Sequence, residues 1–165
     1  MLEVVVIAHN IRSTHNVGSI LRTSDGFGVS MVYCTGYTPY PTVPGDRRLP
    51  HEREKLTAQI HKAALGAESI VPVAHKADIL KLILTLKNDG YLVVALEQAP
   101  GSVMLPDFQP DGGKIALLLG EEVHGTPPEL LEICDTIVEI PMRGQKESFN
   151  VSVAAGIALY QITLA

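Results

Sequence analysis

Short apolar runs alternate with helical segments along the whole chain, and this alternation narrows the possible folds most. EVVVIA (3–8) is a β-branched, wholly apolar run of the kind that forms a buried parallel strand. VSMVYCTG (29–36), SIVPVA (69–74), YLVVALEQ (91–98), KIALLLG (114–120) and TIVEIPM (136–142) repeat the signal. Between them lie segments of helical spacing. Residues 16–28 carry Val17, Ile20, Leu21 and Phe27 and close on Gly26 and Gly28. Residues 51–66 and 77–90 follow. Residues 126–134 open with Thr126 as a candidate N-cap and Pro127 at the first helical position. YTPYPTVPGDRRLP (37–50) and PGSVMLPDFQPDGG (100–113) read as turn-rich connectors. Strands alternating with helices predict a parallel sheet covered by helices on both faces, an α/β fold in one domain over residues 1–165.

Composition removes several function classes. The chain has 165 residues, 46% of them hydrophobic, with a net charge of −5. No global basic field draws it to nucleic acid, so RNA binding would need a local patch. No apolar run reaches the roughly 20 residues of a membrane helix, and MLEVVVIAHN reads as a strand, not a signal peptide. Cys34 and Cys134 lie far apart in apolar surroundings. They are expected as reduced thiols of a cytoplasmic protein, with no metal site.

Ligands of such sheets bind beyond the carboxyl ends of the strands. Three groups of residues occupy such positions. HNIRSTHNVGSILRTSD offers Asn10, Arg12, Asn16, Gly18 and Arg22 after the first strand. As structure alone it is a helix start, with Asn16 as cap and Arg22 solvated. GEEVHG supplies Gly120, Glu122 and Gly125, where glycines allow close backbone approach and Glu122 can accept hydrogen bonds or a proton. The plain alternative is an ordinary strand-to-helix turn. PMRGQKESFN brings Ser148 and Asn150 to the start of the last helix, where Ser148 also suits an N-cap.

Together, in this order and spacing, the three blocks resemble the SpoU/TrmH branch of the SPOUT RNA methyltransferases. The blocks are NxRxxxNVGxILRT at Asn10 to Thr23, LLLGxExxG at Leu117 to Gly125, and IPMxGxxxSxNVSVAAGIALY at Ile140 to Tyr160. The resemblance implies a parallel α/β sheet whose C-terminal part forms a deep trefoil knot. It implies S-adenosylmethionine bound by Leu118, Gly120, Ile140, Met142, Ser148 and Phe149. Phe149 stands where leucine is usual in the family, which keeps the position apolar but bulkier. No G-x-G-x-x-G follows the first strand, so the dinucleotide fingerprint of an oxidoreductase is missing.

The implied reaction is methylation of a ribose 2′-hydroxyl in tRNA or rRNA. Arg22, Asn16, Glu122, Ser148 and Asn150 are the implied catalytic residues. Arg22 would either assist deprotonation or hold the substrate phosphate, because a guanidinium pKa above about 12 makes a poor base. The rival within the same fold is a catalytically silent RNA-binding or assembly module. Many relatives carry an RNA-binding extension before the first block. Here that block begins at Asn10, so substrate selection is expected from the domain itself or from an accessory protein. Arg12, Arg47, Arg48, Arg53 and Lys55, beside Tyr37 and Tyr40, form the candidate RNA-binding patch. The interleaved acids Asp46, Glu52 and Glu54 equally suit a solvated, salt-bridged helix start.

The last helix, VSVAAGIALYQITLA, is apolar on nearly every side. One sheet can cover only one side of it, so a homodimer is expected. Its interface would include Val153, Ile157, Tyr160 and the helix from Asn16.

Overall fold

The computed structural model describes residues 2–110 and 112–164. Seven strands form one sheet: β1 (Glu3–His9), β2 (Met31–Thr35), β3 (Val73–Lys76), β4 (Leu92–Leu96), β5 (Val103–Met104), β6 (Lys114–Leu119) and β7 (Thr136–Glu139). Their spatial order is β3-β2-β1-β6-β4-β7-β5, and every pairing is parallel. Among the described residues, four α-helices lie between strands, α1 (Thr14–Gly26), α2 (Pro50–Ala64), α3 (Ile79–Asn88) and α4 (Pro128–Leu131), and α5 (Val151–Leu164) follows β7.

The central strands are apolar along their interior, Val4–Ala8 in β1 and Ile115–Leu119 in β6, because both faces of the sheet are covered. Along β1, Val4, Val6 and Ala8 join the layer under α1, α2 and α5, where they meet Ile20, Leu21, Ile60 and Leu159. Val5 and Ile7 point the other way, into the layer formed with α3 and α4 around Leu82, Ile83 and Leu130. Side chains that alternate along a strand thus each find a dry partner.

β1 and β6 are hydrogen-bonded neighbours, from Glu3 beside Lys114 to Ala8 beside Leu119. The chain leaves β1 for α1 on one face and leaves β6 for α4 on the other. The two exits diverge, and a crevice opens at their shared carboxyl end, the usual ligand position in an open α/β sheet.

Several expected boundaries move. α1 starts at Thr14, two residues before Asn16, because the side chain of Ser13 accepts the Asn16 amide at 3.2 Å and serves as the cap. The strand expected at 69–74 lies at Val73–Lys76, preceded by a short 3-10 turn at Ala67–Ser69. The helix expected over 126–134 shrinks to four residues, with Pro127 in the cap position and Thr126 left outside. Within the connector 100–113, Val103–Met104 pairs with β7 as an edge strand, too short for periodicity to reveal.

Gly18 fixes how α1 lies on α2. A Cβ there would collide with the Ile60 carbonyl oxygen and the Ala64 amide nitrogen, both backbone atoms of α2. The close approach that this glycine permits is therefore helix on helix. Overpacking such a contact costs about 1–3 kcal/mol, so Gly18→Ala should lower stability by that amount in a urea titration. An unchanged midpoint would show that the two helices can slide apart.

Candidate active site

The crevice is closed by one chain of hydrogen bonds. Ser13 caps α1, so the side chain of Asn16 is not needed for capping and is 8% exposed. Its amide nitrogen donates to Glu122 Oε1 at 3.0 Å, and its Oδ1 accepts from Asn150 Nδ2 at 3.1 Å. Glu122 also accepts the backbone amides of Arg12 at 3.2 Å and Ser13 at 3.5 Å. Asn150 in turn caps α5: its Oδ1 accepts the Ser152 amide at 2.9 Å and the Ser152 hydroxyl at 2.6 Å. The loops after β1 and β6 and the start of α5, 106 and 134 residues from Asn16 along the chain, thus meet at one asparagine.

Burial alone would push the Glu122 carboxyl up. The hydrogen bonds from Asn16 and from backbone amides outweigh it and hold the carboxyl below its ordinary value. Glu122 is therefore an anion at neutral pH, suited to orienting Asn16 and not to giving up a proton.

Beside this chain lies a cavity of about 350 Å³ between the ends of β4, β6 and β7 and the segment leading to α5. Its walls combine apolar side chains, Leu119, Ile140, Met142 and Phe149 among them, with Glu97, Glu121, Glu122, Glu139 and Glu147. Gly120 and Gly125 let the β6–α4 loop fold tightly. A Cβ on Gly120 would strike Thr126, and one on Gly125, at φ +71°, would strike the Glu97 carboxylate. Glu97 ties that loop to β4, accepting the Thr126 amide at 2.8 Å and the Gln98 amide at 3.0 Å. Gln98 reaches across to the outer wall and donates to the Glu147 carbonyl at 2.7 Å.

Gly120, Ile140, Met142, Ser148 and Phe149 all line this cavity. Leu118 does not: it is wholly buried in the α3–α4 layer, and the alternation of β6 gives its place to Leu119. Ser148 is exposed and lies outside α5, so the capping role suggested for it belongs to Asn150. Arg22 stands apart from the hydrogen-bonded chain. It is exposed, its side chain forms no hydrogen bond or ion pair among the described residues, and it lies six residues, or about 9 Å, along α1 from Asn16. Sequence reasoning missed Glu97 and Gln98, whose only sequence signal is their position just past a strand end.

The basic patch divides. The Arg48 guanidinium pairs with Asp46, donates to the Tyr40 and Pro41 carbonyls at 3.0 Å each, and lies 3.6 Å from the Tyr40 ring centre. It latches its own loop and is not available to a phosphate. Arg53 donates to the Asp46 carbonyl at 3.2 Å. Arg47 and Lys55 are exposed. Arg12 sits at the crevice, its guanidinium 3.0 Å from Glu121. Among the described residues, no group of three or more His, Cys, Asp or Glu side chains is placed to hold a metal ion.

A depressed carboxylate pKa stabilises the fold above the unfolded value, and that contribution is lost as pH falls through the folded value. The advantage of the wild-type chain over Glu122→Gln in urea titrations should therefore hold from neutral pH down to the ordinary value of 4.5, then shrink in more acid solution. An advantage independent of pH across that range would mean that Glu122 is not the anionic acceptor.

The model of the SpoU rRNA methylase family matches residues 46–160. The 23S rRNA (guanosine-2′-O-)-methyltransferase RlmB of Nitrosomonas europaea is 34% identical over 158 residues, which cover 95% of this chain and 54% of that protein. The chain thus spans about half the length of that relative. The crystal structure of an AdoMet-bound rRNA methyltransferase from Sinorhizobium meliloti superimposes with a TM-score of 0.81 at 29% identity, covering 96% of this chain and 55% of that one. A TrmH/SpoU tRNA modifying enzyme from A. aeolicus gives a TM-score of 0.77 at 28% identity, covering 98% of this chain and 74% of the other. Matched across most of its length by the family model and from end to end by these relatives, the chain belongs to the SpoU rRNA methylase family.

Proposed function

We propose that this chain is an S-adenosylmethionine-dependent methyltransferase acting on a ribose 2′-hydroxyl of tRNA or rRNA. In this reading it is a single cytoplasmic domain that works as a homodimer, with an accessory protein as one route to substrate choice. The observation that carries the reading is the bond chain Glu122–Asn16–Asn150, which joins all three motif blocks beside the cavity. The relatives' names supply the substrate class: one is a guanosine-2′-O-methyltransferase and another is an rRNA methyltransferase with AdoMet bound.

The cavity suits that cofactor. Its apolar walls around Ile140, Met142 and Phe149 fit an adenine, and its carboxylates fit a cationic sulfonium and ammonium. When bound, S-adenosylmethionine supplies an electrophilic methyl group on a sulfonium. Gly120, Ile140, Met142, Ser148 and Phe149 hold it, and the backbone of Leu118 supports Leu119 from within the sheet.

The chain's own residues then have positioning work to do, because in-line attack needs the hydroxyl held close and aimed. Glu122 fixes the Asn16 amide, Asn16 fixes Asn150, and Asn150 with Ser148 faces the ribose. Arg22, with a guanidinium that forms no hydrogen bond or ion pair among the described residues, takes the ribose or its phosphate. The helix α5 leaves Val153, Tyr160 and Leu164 at 50%, 59% and 67% exposure. Between α5 and α1 runs an apolar groove of about 740 Å³ lined by Thr23, Phe27, Ile157 and Tyr160. A second copy covering this groove is the interface proposed.

Three measurements test these assignments. S-adenosylmethionine at a hundredfold excess over its Kd should stabilise the fold by roughly 2.7 kcal/mol; no shift in Tm at millimolar cofactor overturns the reading. Asn150→Ala and Arg22→Ala should each bind cofactor within a few-fold of wild type while methyl transfer to bulk tRNA or rRNA falls by about a hundredfold or more. Near-normal transfer would leave Arg22 a solvated residue of α1 and Asn150 a cap worth about 1 kcal/mol. Tyr160→Glu should convert a dimer to a folded monomer in light scattering, and a wild-type monomer at micromolar concentration rejects the interface.

A further inference from the structure

The turn after β2 presents a half-exposed aromatic ring whose hydroxyl reaches Arg12 and Glu121 at the rim of the crevice. Thr38 pins this turn to β1: its hydroxyl donates to the Ala8 carbonyl at 2.8 Å and accepts the Ile11 amide at 3.0 Å. Asn10, in the left-handed region at φ +56°, accepts the Tyr37 amide at 3.2 Å. Gly36, at φ +62°, packs so closely on the Asn10 side chain that a Cβ would collide with it. The turn is thus pinned at Gly36, Tyr37 and Thr38, yet Tyr37 remains 52% exposed. Tyr40 is the contrast, stacked on His75 at 4.5 Å and under Arg48.

Tyr37 also stands in line with the crevice. The Arg12 guanidinium lies 5.9 Å from its ring centre and 3.0 Å from Glu121, which lines the cavity. The Arg12 backbone amide donates to Glu122 at 3.2 Å. Ring, guanidinium and cavity therefore follow one another along the rim.

Resting on the function proposed above, we propose that Tyr37 is a stacking platform for a nucleobase next to the methylated ribose, with Arg12 against the adjoining phosphate. With a net charge of −5 the chain has little long-range pull on RNA, so a contact that does not depend on charge carries more of the binding. Glu121 offsets part of the Arg12 charge, which suits one local phosphate contact over a general backbone track. An exposed ring on a rigid turn loses little conformational freedom on binding, so most of its contact energy is kept.

The test uses the full chain, bulk tRNA, and a short fluorescein-labelled single-stranded RNA with a matching abasic version. Tyr37→Ala should weaken binding of both intact RNAs by about tenfold, with Tyr37→Phe close to wild type, because each stacked base contributes an interaction of that order. Cofactor affinity and Tm should not move. The salt dependence should keep its slope in Tyr37→Ala and lose part of it in Arg12→Ala. The chain has no tryptophan, so Tyr37→Trp gives a single reporter whose emission should be quenched by the intact RNA and not by the abasic one. Unchanged RNA affinity in Tyr37→Ala, or equal quenching by both RNAs, overturns the platform while leaving the methyltransferase reading intact. If wild-type protein binds neither the cofactor nor any of these RNAs, both readings fall together.

Discussion

The carboxylate of Glu122 holds the molecule's two diverging loops together. The open sheet separates them: α1 leaves for one face and α4 for the other. Their strands are hydrogen-bonded to each other as far as Ala8 and Leu119, and beyond those two residues the β1–β6 ladder no longer ties one loop to the other. Glu122 supplies the restraint by taking two amides from the loop after β1 and the side chain of Asn16. A carboxylate is well matched to the task, since it accepts several bonds at once and those bonds keep it ionised. Asn16 has one donor committed to Glu122 and its oxygen committed to Asn150, so the beginning of α5 is registered against the same point.

Local capping makes that arrangement possible. Had Asn16 been the cap of α1, its oxygen would have been committed to its own helix. Ser13 takes that role and pushes Asn16 into the first turn, facing the crevice. At α5 the order is reversed. Asn150 caps the helix with its oxygen and spends its amide nitrogen on Asn16, so one side chain both starts a helix and completes the site. Loss of Asn150 is therefore expected to touch stability and chemistry together, but unequally.

Much of this arrangement is legible in the amino-acid sequence. Strand-and-helix alternation predicts the parallel sheet, because strands buried on both faces must be apolar along their interior, as Val4–Ala8 of β1 and Ile115–Leu119 of β6 are. The three motif blocks point to the crevice and to five of the six expected cavity residues. Other features are not legible, for physical reasons. Which residue caps a helix depends on a one-turn shift that polar residues at 13, 14 and 16 make equally plausible. Edge strand β5 has two residues and no period. Arg48 looks free in sequence because the carbonyls and ring that bind it lie seven and eight residues back, in a loop without pattern. The threading of the C-terminal segment, which the family resemblance expects to be knotted, leaves no trace in hydrophobic period at all.

The backbone contact at Gly18 has one more consequence. At Gly18, which has no side chain, α1 meets the backbone of α2 directly at Ile60 and Ala64. Lys55, on the exposed flank of α2, is thereby carried by a helix packed directly against the one that bears Asn16. A long, stiff molecule gripped along α2 would meet the crevice at only one point along its length. In such a geometry the protein would act as a ruler, choosing its target by how far it lies from the grip.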